Sequence, residues 1–525
     1  LAYDELLLMQ LGVFLKRAHL RGSLQAPALT HSPEIDNRIR ARFPFALTDA
    51  QNRVIAELTA DLTKAVPTNR LIQGDVGSGK TVVALYAMLL AVASNHQAAL
   101  MAPTELLAEQ HYASITKALA GSKVRVALLT GSLVGADREV LLDQLARGEI
   151  DIIIGTHALL TETVAFHSLA VAIIDEQHRF GVHQRATLRV KGAAVVGSIT
   201  QPAALSTPHV LVMTATPIPR TMGITLFGDL DISTIDGLPP GRTPVETRVV
   251  TPADFAETYA FVRARLDAGE QAFVVVPTIE GNDEGSILPT PPNPRLQSGD
   301  AHTHDAQNPA PTPTHGSENQ VTTALASVRS LLKELDAGPL AGKHLAALHG
   351  RLKRQTREQI MERFRAGRID CLVATTVIEV GVDVPNATVM VVEHADRFGL
   401  AQLHQLRGRV GRGNAQSYCI LIGEPSTPDA IERLSVLTQT GDGFVIAEKD
   451  LEIRGPGEVF GSRQSGASPL KVADLMADRE LLAMARRDAR AWIEQSPALA
   501  KPEEQTLRRR LFKAYGETLG LGDVG

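Results

Sequence analysis

The run Gly74-Asp-Val-Gly77-Ser-Gly79-Lys80-Thr81 fits the pattern G-x-x-x-x-G-K-[ST] and follows the short apolar stretch Leu71-Ile72. Residues of these types at this spacing hold phosphate. Glycines let backbone N–H groups curl around the β- and γ-phosphates, and the N-terminus of a following helix adds a favourable dipole. Lys80 supplies a point charge, and the Thr81 hydroxyl can ligate Mg²⁺. A chance glycine turn is the bland alternative, but the strand before the run and the helical stretch Val82 to Val92 after it argue for nucleotide binding.

Three further groups could act with it. Val171-Ala-Ile-Ile174 ends in Asp175-Glu176-Gln177-His178, an apolar strand closing on two acids. Asp175 is expected to hold Mg²⁺ through water and Glu176 to polarise the water that attacks the γ-phosphate, because phosphoryl transfer needs positioning and charge neutralisation. Two solvated acids at a strand end would be the alternative without the upstream loop. Thr214-Ala-Thr216-Pro follows another apolar run, and its hydroxyls could report the nucleotide state through hydrogen bonds, though the tripeptide alone means little. Gln405-Leu-Arg407-Gly408-Arg409-Val-Gly411-Arg412 sets Arg409 and Arg412 three apart among glycines. Two permanently charged, planar guanidiniums could then approach one phosphate, where the alternative is a basic surface loop.

These groups need a scaffold that brings distant segments together. Between Arg70 and about residue 235, short apolar runs alternate with helical ones, at Arg70 to Gln73, Ala98 to Ala102, Val124 to Leu129, Asp151 to Ile154, Val171 to Ile174 and Val210 to Met213. Such alternation predicts an α/β unit, a parallel sheet with helices on both faces. The pattern restarts near Pro244, with runs at Thr247 to Val250, Ala272 to Val276, His344 to Leu348, Cys371 to Ala374, Val389 to Val392 and Ser417 to Leu421, and a helix over Arg354 to Arg365. Residues 281 to 320 carry almost no apolar side chain, so disorder is expected there, and their histidines lack a metal-ligand spacing. From about 426 helical stretches dominate, broken by the Gly-rich stretch 455 to 466. The expected division is a helical connector over 1–45, an ATP-binding domain over 46–240, a second α/β domain over 241–425 and a helical region over 426–525.

The chain has 525 residues, a net charge of −5, 44% apolar residues and two cysteines. That excludes a globally basic nucleic-acid coat, though not a local basic groove. Cys371 and Cys419 sit in apolar runs without disulfide or metal spacing, which predicts two small core residues in a reducing, cytoplasmic setting. No stretch has the length and apolarity of a membrane span. The first residue is Leu1 rather than Met, and the amphipathic pattern over 1 to 20 predicts a helix that must pack on something.

Taken in order, Gln51, Gly74 to Thr81, Pro103-Thr104-Glu105, Asp175 to His178, Thr214 to Thr216, Thr375 to Asp383 and Gln405 to Arg412 resemble the motif series of superfamily-two helicases. The resemblance implies two RecA-like P-loop domains with ATP and Mg²⁺ in the cleft between them, and with Gln405, Arg409 and Arg412 reaching across from the second. It further implies that Phe45 and Gln51 read adenine, and that Gly381 and Asp383 couple ribose and phosphate to DNA. By the same resemblance His178, Thr214 and Thr216 couple the domains, and Thr104, Thr130 and His157 contact DNA.

The segments 175 to 182, 213 to 220, 348 to 353 and 395 to 405 are similar to the RecG family of branch-migrating DNA helicases. Residues 441 to 466, with Arg454 and Gln464, resemble the translocation motif that this family shares with the transcription-repair coupling factor; a glycine-rich linker is the alternative. The resemblance covers nearly the whole chain, departing at 281 to 320 and in lacking an N-terminal wedge domain, so a motor portion is expected. It implies a monomeric translocase on branched double-stranded DNA, with a single-stranded-DNA-binding protein as a further partner. Transcription-repair coupling and protein translocation are the rival functions.

Overall fold

The computed structural model describes residues 1–176, 207–214, 230–237, 243–277, 328–375, 384–413, 415–454, 470, 472–474 and 477–516. Strands β1 (Asn69–Gly74), β2 (Gln97–Met101), β3 (Val126–Leu129), β4 (Ile152–Gly155), β5 (Leu169–Ile174), β6 (His209–Thr214) and β7 (Asp231–Ile235) form one sheet, in the order β3-β4-β2-β5-β6-β1-β7. Strands β8 (Glu246–Val250), β9 (Gln271–Val275), β10 (Leu345–Leu348), β11 (Cys371–Ala374), β12 (Ala387–Val392) and β13 (Tyr418–Ile422) form a second, in the order β10-β11-β9-β12-β13-β8. Every neighbouring pair in both sheets is parallel.

Parallel strands covered on both faces must be apolar at successive positions, because alternate side chains enter different cores. In β1, Leu71 joins one apolar cluster and Ile72 the other. In β9, Phe273 and Val275 face one core while Ala272 and Val274 face the other. The helix Lys80–Ala93, buried continuously from Val83 to Ala91, fills one face of the first sheet. The helix Asp49–Leu62 starts where its capping chemistry dictates. The Thr48 side chain accepts from the Gln51 amide while the Gln51 side chain returns to the Thr48 amide.

The predicted strands are all present within a residue or two, but β7 was not foreseen. Asp231-Ile-Ser-Thr-Ile mixes polar and apolar residues rather than running apolar, because it lies at the sheet's edge beside β1. The N-terminal helix is more than a connector. Ala2–Ser23 packs with Arg479–Gln495 and Gln505–Tyr515 around Leu6, Leu11, Leu15, Leu482, Ala489 and Leu511, making a helical cap from the two ends of the described chain. An ion pair from Arg17 to Asp231 ties this cap to β7. Among the described residues no helix is long and apolar enough to cross a membrane.

Candidate active site

The glycine loop leaves β1 at the carboxyl edge of the first sheet, where α/β proteins place ligands. Gly77 and Gly79 have φ of +79° and +86°, open to glycine at little strain. A Cβ on Gly79 would also stand 2.2 Å from Gln51 Nε2 and push that side chain aside. Gln51 is a strut under the loop, its Nε2 donating to the Ser78 carbonyl at 3.0 Å and its Oε1 accepting from the Thr48 amide at 2.9 Å. The buried Ser78 Oγ has no hydrogen-bond partner among the described residues, and a Cβ on Gly74 would stand 2.5 Å from it. A cradle of this kind, with a polar atom unsatisfied inside it, fits a phosphate chain.

Lys80 Nζ lies inside the loop, donating to the Gly74 and Asp75 carbonyls at 2.7 and 2.8 Å. Burial lowers the pKa of this ammonium against the opposing pull of Glu176, Asp175 and Asp75, and the positive charge of Arg412 adds to the lowering. The influence of Arg412 is informative, because it brings a group from the second sheet's domain electrostatically onto the first domain's lysine.

Asp175 is buried at the end of β5 and accepts from His111 Nε2 at 2.7 Å through Oδ2. Its Oδ1 accepts from the Glu176 amide at 3.1 Å. Glu176 has φ of +56°, a left-handed conformation that costs a non-glycine residue about 1–2 kcal/mol. Strain of this kind at the edge of a phosphate cradle turns the second carboxylate out of the strand direction. Thr214, at the end of β6, is buried and in register with Gln73. Among the described residues no three His, Cys, Asp or Glu side chains form a metal cage. Thr81 and Asp175 offer hard oxygens, which suit Mg²⁺, an ion that takes few protein ligands and completes its shell with water and phosphate.

From the second domain, the helix Leu400–Arg407 runs into the arginine-rich turn. Gly408 packs so close to Val76 that a Cβ would stand 2.8 Å from the valine Cβ. Arg409 is buried, Gln405 and Arg412 are half-buried, and Arg412 Nε donates to the Gly408 carbonyl at 3.4 Å. His404 Nε2 meets Asp75 Oδ1 at 2.7 Å, and its Nδ1 meets Arg407 Nη2 at 2.9 Å. Burial works to raise the Asp75 carboxyl, but hydrogen bonding and charge from His404, the Val76 amide and Lys80 outweigh it and hold the pKa below its ordinary value.

Other predicted residues lie further out. Phe45 is exposed and stacks with Phe43 at 6.4 Å between ring centroids. Thr104 caps the helix Glu105–Ala118, Thr130 Oγ1 lies 2.7 Å from Ser132 Oγ, and exposed His157 opens a short turn. These three follow β2, β3 and β4 and share the carboxyl edge of the first sheet, where Glu105 accepts from the Ser132 amide at 3.1 Å. Arg454 is turned onto Asp450, its Nε donating at 3.2 Å, and fills the space beside Gly399. His178, Thr216, Gly381, Asp383, Gln464 and the 281 to 320 stretch lie outside the described residues. The sequence patterns assign no individual role to Asp75, His111, His404 or Arg407. An acid at a free position of the loop pattern, and a histidine three residues before an arginine on one helix, were the available signals.

Family models match three segments, the DEAD/DEAH box helicase over 48–223, the helicase conserved C-terminal domain over 315–414, and the C-terminal part of domain 3 of the ATP-dependent DNA helicase RecG over 440–519. The chain is 43% identical to the ATP-dependent DNA helicase RecG of Bacillus subtilis, over 98% of this chain and 68% of that one. It is 44% identical to that of Acidithiobacillus ferridurans, over 100% and 68%, and 43% identical to that of Synechocystis sp., over 99% and 56%. It thus spans little more than half to about two thirds of these relatives. A solved structure of RecG bound to a three-way DNA junction superposes with a TM-score of 0.68 at 39% identity, covering 92% of this chain and 56% of that one. The DNA-bound helicase MrfA, at 18% identity and a TM-score of 0.53, shares the fold.

Proposed function

This chain belongs to the RecG family of ATP-dependent DNA helicases, and from that premise we propose that it is the ATP-driven motor portion of an enzyme acting on branched double-stranded DNA. Its substrates on this proposal are stalled forks and Holliday junctions, which it reverses or migrates as a cytoplasmic monomer beside a single-stranded-DNA-binding protein. The observation that carries the proposal is the convergence of the two sheets' chemistry, with His404 of the second domain 2.7 Å from Asp75 of the phosphate loop and Gly408 packed on Val76. A motor that hydrolyses ATP only when its domains meet can turn hydrolysis into movement.

The loop N–H groups and Lys80 bind the phosphates, and Glu176 orients the attacking water and receives its proton. Gln405, Arg409 and Arg412 stabilise the charge that develops on the transferring group, and Phe45 and Gln51 border the base. Thr81 and Asp175 would hold Mg²⁺, which neutralises charge on the phosphate oxygens when bound. Gly381, Asp383, His178, Thr214 and Thr216 link the nucleotide to the neighbouring domain, with the division at 46–240, 241–425 and 426–525.

DNA runs along the loops of Thr104, Thr130 and His157 and past Arg454 and Gln464. These contacts are mainly to phosphates, so binding weakens with salt and ignores base sequence. ATP turnover with and without a model fork tests the proposal. Stimulation by forked or duplex DNA is expected, and turnover indifferent to every DNA would refute it.

A further inference from the structure

Arg407 can only donate hydrogen bonds, so the His404 Nδ1 that it meets at 2.9 Å must be an acceptor. The imidazole proton is therefore on Nε2, where it donates to Asp75 Oδ1 at 2.7 Å. The remaining Arg407 N–H groups reach the carbonyls of Leu437 and Thr440, at 2.9 Å each, and of Gly441 at 3.3 Å. This is the carboxyl end of the helix Pro428–Gln439, where a cation is favoured. On the return path, the Gly443 amide donates to Asp75 Oδ2 at 3.3 Å. The two oxygens of one carboxylate in the phosphate loop thus grip the turn 440–443 by two routes, one direct and one through the buried His404 and Arg407.

We propose that Asp75, His404 and Arg407 form a positioning relay that carries the state of the phosphate loop to the turn 440–443 and the helix Gly443–Arg454. The proposal deepens the motor reading and rests on it. Lys80 holds the Asp75 carbonyl at 2.8 Å, while the side chain of the same residue holds the turn. A phosphate that draws Lys80 away releases the backbone at Asp75 and changes where its carboxylate presents itself. The turn has room to follow, because a cavity of about 530 Å³ is lined by Asp75, His404 and Arg407 together with Thr440, Gly441 and Asp442 of the turn itself. Asp450 and Arg454, near the N-terminus of Leu400–Arg407, hold the far end of the same helix pair, so displacement at 443 moves the helix Gly443–Arg454 as a unit.

The test measures the distance between probes on Val445→Cys, in that helix, and Val134→Cys, on the first domain, both exposed positions. The native Cys371 and Cys419 are buried and will not compete for label. In the full chain the distance should change when ADP or a non-hydrolysable ATP analogue is added. His404→Leu should abolish the change, and His404→Gln, which keeps one donor and one acceptor, should restore it. Asp75→Asn gives a second route should His404→Leu fold poorly, since one of its two carboxamide positions is an NH2 that cannot accept, so it keeps the bond from His404 Nε2 or from the Gly443 N–H but not both, and the change should shrink. A parent-sized change in His404→Leu or Asp75→Asn, or no change in the parent, overturns the relay. A parent whose ATP turnover ignores DNA overturns the helicase reading alone, and the distance measurement decides the relay either way.

Discussion

Gln51 offers a sharp test of how the phosphate loop is held. Its side chain is 2% exposed and makes one hydrogen bond to the loop, at the Ser78 carbonyl, and one to the Thr48 amide. Gln51→Ala removes both, at about 1 kcal/mol each, and leaves the Ser78 carbonyl without its buried donor, for a total of about 2–3 kcal/mol. The empty loop can relax and recover much of this. Nucleotide binding requires the ordered loop again, so the loss falls on affinity and amounts to roughly 30- to 150-fold in the dissociation constant. Turnover at saturating ATP should change far less, because Lys80, Asp175 and Glu176 are untouched.

Gln51→Glu separates a strut from simple space filling. The substitution conserves volume but points a carboxylate oxygen at the Ser78 carbonyl, where a donor now stands at 3.0 Å. Affinity should therefore fall in the order Gln, Ala, Glu at pH 8. The Glu variant should recover as pH falls toward its carboxyl pKa, since the protonated form can donate again. Titration with ADP and GDP measures the effect. The strut's share weakens both alike, so any selective loss of ADP reports reading of the base. Gln51→Ala binding ADP within about threefold of the parent, against the loss expected from two hydrogen bonds, would refute the strut.

Lys80→Ala should lower ATP turnover by about a hundredfold or more, because no other described group supplies a cation inside the loop carbonyls. Glu176→Gln should lose hydrolysis and keep ATP binding, and a fully active variant would remove Glu176 as the base. Burial raises the carboxyl pKa of Glu393, partly offset by the Tyr259 hydroxyl that donates to it at 2.7 Å. The folded state therefore keeps a proton that the unfolded chain releases, so this contribution is full below the ordinary carboxyl pKa and lost as pH rises through the raised one. Glu393→Gln, which keeps the acceptor without the charge, should melt higher than the parent at pH 8, with the gap closing toward pH 5. Leu11→Ala should destabilise the helical cap by about 2–5 kcal/mol. The chain's single tryptophan, Trp492, bonded through Nε1 to Glu504 at 2.8 Å, reports that melting by fluorescence, and ADP affinity should be unaffected.

The strands and the phosphate loop were legible because their information is local. A doubly covered parallel strand must be apolar at successive positions, and a phosphate cradle needs glycine where φ is positive, so β1 and Gly77 to Lys80 announce themselves within a dozen residues. The Thr48 cap is local in the same sense, its partner Gln51 lying three residues away. β7 was not legible, because an edge strand beside β1 has one partner and can carry Ser and Thr. Nor could composition reveal that helix Ala2–Ser23 would find its core at Leu482 and Leu511, from the opposite end of the described chain.

The site divides along the same line. Lys80, Thr81, Asp175 and Glu176 contact the phosphates on the motor reading, so chemistry constrains their types and a pattern can hold them. Asp75 and His404 stand 329 residues apart, and Asp75 occupies a position where the loop pattern accepts any residue. A pattern records what every phosphate loop needs. What this loop is connected to must be written at the positions the pattern leaves free, and a carboxylate there, gripping both a histidine of the second domain and the amide of Gly443, is such a mark. The free positions of a shared motif are therefore where a motor's individual coupling should be sought, and Val76, wedged against Gly408, is the next of them in this chain.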